Sequence, residues 1–500
     1  MWRPRPAIVG PFVVLLIAIV ACSGRGRGRE LHVVWSTEVQ TLDPNERFEF
    51  VADTVAMNVF EPLLRYDRRM AFAPCLAKSW EIREGLAWRF HLRDGVLFQD
   101  GTTLTAEDVA FSIQRLKART TFDIYRYVAA IREVRIVDPL TVDVYSDRPA
   151  GLLSVLSFVY ILPKRSVERL GEEAFFKAPS GTGSYRIAEW RRGESLRLEA
   201  HEDYWGGAPR IPAVVFQVTR EGEPMWDEAR RLAPAIVFGP TRTSWAAHRK
   251  DQGFRLVERP GLAVHYLSLR ISGGAENPLS DVRVRRALRA AIDYRKLAAA
   301  IPAEGAFPAS QFVPPAIVGF DPGLTVPQFV PGEARRLLRE AGFRQAAPLR
   351  FLTVAPSGPL DRVLLEAFSA AGVEVRREAV SQAEFDRRSV ACDADVFVSG
   401  WICSTGDAGE LFEGNFSRKK APANPCGYGS DEMDTAVEEI GQTLDPALRR
   451  DLLQKAMRRL VEDLPWIPLL VSYDRHALTP GVEGQARADG QLDLRDVRIE

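Results

Sequence analysis

Apolar and polar positions follow clear periods along most of the chain. Leu31-His-Val-Val-Trp35 is a short apolar run that predicts a strand. Trp88-Arg-Phe-His-Leu92 alternates with period two, which puts Trp88, Phe90 and Leu92 on one face. The turn dipeptides Asp94-Gly95 and Asp100-Gly101 follow, and both suit a meandering antiparallel piece. Thr105-Ala-Glu-Asp108 has the chemistry of a helix start, with Val109, Ile113 and Leu116 continuing at helical spacing. Strands are expected within Glu133 to Tyr145, turning at Asp138-Pro139, and at Leu196 to Ala200, Val214 to Val218 and Ala235 to Phe238. Asp281 to Ile301 reads as one helix with the stripe Val284, Leu288, Ala291 and Ile292. Glu333 to Ala341 and Leu360 to Ala371 read as helices, Leu349 to Val354 and Val373 to Glu378 as strands. Asp445-Pro446 opens a helix running to Pro465. Alternating strands and helices from about 280 to 477 predict an α/β domain, while the earlier part is richer in hairpins.

The chain has 500 residues, 46% hydrophobic and 26% charged, so two or three domains are expected rather than one core or a disordered chain. The 66 basic and 66 acidic residues cancel, which argues against a nucleic-acid partner. Arg3 and Arg5 precede an uncharged stretch from Ala7 to Ala21, which is too short to span a bilayer and has the layout of a secretory signal. Its end, Ile19-Val20-Ala21-Cys22, resembles a bacterial lipobox. Residues 1–21 are therefore expected to be a lipoprotein signal and Cys22 the lipidated residue, with an ordinary signal peptide or short anchor as the alternatives. The Gly/Arg alternation in 22–30 reads as a flexible tether. The expected location is extracytoplasmic, tethered to a bacterial membrane by lipid only.

Catalytic signatures are lacking. The six histidines are scattered, His-Glu-x-x-His is absent, and so is the Gly-x-Ser-x-Gly elbow. Gly181-Thr-Gly183 lacks the Lys-Ser/Thr of a phosphate loop and reads as a turn. Arg283, Arg285 and Arg286 read as a solvated or salt-bridged helix face. No enzyme activity, cofactor or metal is expected; an exported hydrolase is the weakest alternative.

A series of ordered blocks carries a resemblance. They are Leu42-Asp-Pro44, Val59-Phe-Glu-Pro-Leu-Leu64, Pro74 to Trp80, Trp88 to Gly101, Thr105 to Val109, Gly181 to Tyr185 with Trp190, Tyr204 to Gly207, Asp281 to Leu288 with Ala291-Ile-Asp293, and Gly400-Trp401. From about residue 31 onward the chain resembles the peptide- and nickel-binding family of extracytoplasmic solute-binding proteins, which includes the oligopeptide- and dipeptide-binding proteins and serves ABC importers. The resemblance implies an α/β fold of the type II periplasmic-binding-protein class, two lobes joined by a hinge, in its three-domain variant. Domain I would be 31–60, 186–275 and 478–500, domain II 61–185 and domain III 276–477. It also implies a monomer that captures peptides or peptide-like solutes between its lobes. It would hand them to permease subunits with a separate ATPase. A nickel chelate, an oligosaccharide, or a role as sensor or scaffold are the alternatives.

The resemblance further implies that the ligand main chain is bound as an added strand, a mode that tolerates many sequences. One edge would be Phe48, Glu49 and Phe50; the other would be Gly400, Trp401, Ile402 and Cys403. Trp401 would be an apolar wall, unless it is plain core. Relatives carry an Asp that pairs with the peptide ammonium where this chain has Ser404, a hydroxyl that cannot form that ion pair. Either Asp407 approaches the amine through a reshaped loop, or Asp407 is structural and the ligand is not a free-amine peptide; the second reading is favoured. Cys75, Cys392, Cys403 and Cys426 allow three pairings. A Cys403–Cys426 bond closing the loop after the Gly-Trp strand is preferred, with free buried thiols as the alternative.

Overall fold

The computed structural model describes residues 30–500 except 48, 68–69, 84–86, 301–304, 357, 404 and 420–425. The expected signal segment, Cys22, most of the tether, Phe48 and Ser404 lie outside the described residues.

A long mixed sheet forms the backbone of the molecule. From one edge it runs Tyr185–Arg191, Ser195–Ala200, Ala213–Val218, Leu31–Trp35, Ala235–Phe238, Trp466–Leu478, Arg255–Leu269, Val396–Ile402, Leu349–Val354 and Val375–Val380. Ala306–Pro308 adds to Trp466–Leu478 off this path. The two longest strands, Arg255–Leu269 and Trp466–Leu478, pair antiparallel over their length and link the two halves of the sheet. Their register shifts between Pro260 and Val264, at Gly261, where an added Cβ would fall 2.5 Å from Asp474 Oδ1. A separate antiparallel sheet has the order Ala77–Arg83, Ala87–Leu92, Thr141–Ser146, Ile131–Asp138. Three of the larger apolar cores lie in different parts of the fold. One is built around Trp35, Phe216 and Trp226, one around Phe90, Ile113 and Leu156, and one around Leu288, Phe351 and Phe368. The arrangement is mixed α/β, as expected.

Local chemistry explains several boundaries. Asp108 Oδ2 accepts the Thr105 amide at 2.8 Å and starts the helix Ala106–Lys117, whose Val109, Ile113 and Leu116 are fully buried. Asp445 Oδ1 accepts the Leu448 amide at 2.7 Å and starts Pro446–Asp463. Gly181 and Gly183 are glycines because the chain presses on the end of the helix Phe50–Val59. A Cβ on Gly181 would sit 2.0 Å from the Val59 carbonyl oxygen.

Three expectations are corrected. The helix expected over 281–301 is two helices, Val282–Ala290 and Tyr294–Ala299, because Asp293 leaves the helical path and caps the second through the Arg295 and Lys296 amides. Arg285 is not on a solvated face: it is buried and donates to the carbonyls of Leu279, Ser280 and Asp463. The disulfide is Cys392–Cys426 rather than Cys403–Cys426. Cys403 is sealed beside Leu411 and Phe412, its thiol donating to the Asp407 carbonyl at 3.3 Å, whereas Cys392 and Cys426 share a small cluster with Leu352 and Phe397. Cys75 and Cys403 are free and buried.

Candidate functional site

The strand Val396–Ile402 carries most of the expected binding residues. One edge pairs with Arg255–Leu269, including Trp401 with Val264 and Ile402 with Ala263. The other edge pairs with Leu349–Val354 only at Val396 and Phe397. From Val398 to Ile402 this second edge has no strand partner among the described residues, and Ile402 is 59% exposed. Unpaired strand edges template further strands.

Two cavities flank the end of this strand. The first, about 330 Å³, is lined by Trp401, Thr405, Asp407 and Glu410 on one side and by Tyr127, Arg148 and Ser154 on the other. The indole N–H of Trp401 is buried there without an acceptor among the described residues, while its ring also packs on the core of Phe412 and Phe416. Trp401 thus both lines this cavity and packs on the core. The acids of this cavity are engaged. Asp407 is ion-paired with Arg449 and accepts the Gly409 amide at 2.7 Å. Glu410 accepts from the Tyr127 hydroxyl at 2.6 Å and from the Thr405 amide at 3.2 Å, and burial pushes its carboxyl up. Glu413 is ion-paired with Arg148.

The second cavity, about 240 Å³, is lined by Phe50, Asp53, Arg65, Tyr66, Tyr160 and Ile402, among others. Glu49 is extended and stands at the N-cap position of the helix Phe50–Val59 without a side-chain capping bond; Phe50 is its first residue, stacked on Phe238 with ring centroids 5.3 Å apart. Phe50 is therefore helical rather than part of an extended edge. The first amides of this helix are left for other partners. Gly400 pairs with His265 and, like Cys403, lines neither cavity.

Motif reading missed Tyr127, Arg148, Glu410 and Arg449 in the first cavity and Asp53, Arg65, Arg487 and Asp489 in the second. They arrive from segments up to several hundred residues apart, and no local spacing marks them. Among the described residues, no group of three or more His, Cys, Asp or Glu is placed to hold a metal ion, and no helix is long and apolar enough to cross a membrane.

A family model described as bacterial extracellular solute-binding proteins, family 5, middle part, matches residues 71–422. The chain belongs to this family of ABC-importer binding proteins. The probable ABC transporter periplasmic-binding protein SapA of Escherichia coli K12 is 27% identical to this family 5 protein, over 90% of this chain and 88% of SapA. The glutathione-binding protein GsiB of Escherichia coli O1:K1 is 24% identical, over 89% of each chain. The structure of HbpA2 from Haemophilus parasuis superimposes with a TM-score of 0.84 at 23% identity, covering 94% of this chain and 100% of HbpA2.

Proposed function

We propose that this family 5 protein is the lipid-anchored, extracytoplasmic capture subunit of an ABC importer for peptides or peptide-like solutes. It binds without chemistry and works as a monomer. The observation that carries the peptide reading is the unpaired edge at Val398 to Ile402, which runs out between the two cavities. A peptide main chain matches such an edge whatever its side chains. GsiB, a relative along most of the chain, is named for binding glutathione, itself a tripeptide. Domains of 31–60 with 186–275 and 478–500, 61–185, and 276–477 remain our division. The long paired strands would be the hinge, flexing where their register shifts near Gly261. The anchor would be Cys22.

The test is to purify the protein, release any co-purified ligand by denaturation and identify it by mass spectrometry, then titrate peptides calorimetrically. Recovery of peptides, or binding of a di- or tripeptide, is the expected result. Recovery of a metal chelate or an oligosaccharide, with no peptide binding, would overturn the peptide reading.

A further inference from the structure

The charged groups lining the second cavity nearly all have partners. Arg487 is ion-paired with Asp489 and donates to the Tyr66 carbonyl at 3.3 Å. Arg495 is ion-paired with Asp493. Glu61 accepts from the Tyr204 hydroxyl at 2.6 Å and the Trp205 indole at 2.7 Å, and Cys75 lies 3.6 Å away. Two groups are left over. Asp53, in the first turn of the helix Phe50–Val59, makes no side-chain hydrogen bond or ion pair among the described residues. Arg65, on the strand Leu64–Tyr66, likewise makes none, and its Nη1 is buried without an acceptor. A carboxyl and a guanidinium in one cavity, both without a hydrogen-bond or ion-pair partner among the described residues and with Asp493 the nearby charge felt by Arg65, are costly to bury unless a guest supplies polar partners.

We infer that Asp53 and Arg65 are the charge anchors of this cavity, Asp53 holding the ammonium and Arg65 the carboxylate of one short zwitterionic ligand, a free di- or tripeptide. The inference rests on the peptide reading above and deepens it. It also reverses the expectation drawn from Ser404: amine recognition moves to a different lobe-lining helix. At about 240 Å³ the cavity falls just below the usual ligand-pocket range of about 300 to 1,000 Å³, which suits a short ligand and not a long bulky one. Arg65 has the planar fork that suits a carboxylate. The surroundings of Asp53 call for a cation. Burial and the like charges of Asp489, Glu49 and Asp123 push its carboxyl up to about 8, with Arg487 and Tyr160 the other titratable groups nearby. An arriving ammonium displaces that proton.

The test screens a synthetic dipeptide and tripeptide library against the full-length protein by thermal shift. The best binder is resynthesised in N-acetyl and C-amide forms and titrated into wild type, Asp53→Asn and Arg65→Gln. In wild type each blocked form is expected to bind about 30-fold or more weaker than the free peptide. In Asp53→Asn, free and N-acetyl forms should bind within about threefold of each other, and in Arg65→Gln the free and C-amide forms should do the same. Wild-type affinity should rise by up to about tenfold per unit between pH 6 and 7, and this slope needs no variant. Binding by wild type with neither block nor variant having an effect would overturn the anchors and leave the peptide reading standing. Failure of every library member to bind wild type would overturn both.

Discussion

Asp407 and Arg449 form a two-point ion pair, with Nε and Nη2 of the arginine each 2.9 Å from a carboxylate oxygen. The arginine also donates to the Ile440 carbonyl, and the pair bridges the start of the helix Gly409–Asn415 and the helix Pro446–Asp463. The carboxylate of Asp407 is thus satisfied from within the protein. Arg449 is buried, so its replacement by Met leaves an uncompensated carboxylate in the protein.

Arg449→Met is therefore expected to cost about 3 to 5 kcal/mol of stability. The double variant Arg449→Met with Asp407→Asn should recover part of that loss. Urea unfolding followed by circular dichroism reads both. A single variant as stable as wild type would show that the pair carries no structural weight.

The disulfide supplies a second stability prediction. Cys392 and Cys426 close a segment with a sequence separation of 34. Chain-entropy arithmetic for that loop gives about 4 kcal/mol. Cys392→Ser should lose roughly this amount, and Cys403→Ala should leave the bond intact. Peptide mapping without reductant should recover the 392–426 link and alkylatable thiols at Cys75 and Cys403. A 403–426 peptide would contradict the observed pairing.

These particulars show where local pattern sufficed. Leu31–Trp35, Ala106–Lys117 and Pro446–Asp463 were legible because periodicity and capping chemistry act within one turn or strand. The break at Asp293 was not, since an Asp at a helical spacing can either face solvent or cap, and the choice is made by the packing of Tyr294 and Leu297 into the neighbouring core. The strand bearing Gly400 and Trp401 was legible through its motif, but the charges around it were not. Asp53 and Arg65 gain meaning only when folding removes partners from their surroundings, a property of three-dimensional neighbours rather than of spacing. Cysteine pairing failed for the same reason: loop closure favoured Cys403, while burial beside Phe412 withdrew it.

The tether gives a simple cellular test. If Cys22 is lipidated, Cys22→Ala should move the protein from the membrane fraction to the soluble extracytoplasmic fraction without changing ligand affinity. Fractionation with immunoblotting measures the first and calorimetry the second. Unchanged membrane retention would argue against the anchor.

His476 makes one contribution to the fold that weakens in acid. It lies buried in the long strand Trp466–Leu478, paired with Phe238 and Val257, and its Nε2 has no hydrogen-bond partner among the described residues. Burial, with Arg259 and Arg255 nearby, pushes it down to about 4 from an ordinary 6.5. The unfolded chain then binds a proton that the folded chain refuses between these values, so stability falls as pH drops from about 6.5 to 4 and is fully lost for this group below 4. The difference corresponds to at most about 3 kcal/mol. Asp474, two residues away and pushed up to about 6 by burial, works in the opposite sense over much of the same range. The readable quantity is consequently the difference between wild type and His476→Gln. Their unfolding free energies should diverge steadily from pH 6.5 to 4, with the variant losing less. Parallel curves over that interval would mean that His476 is protonated in the folded protein.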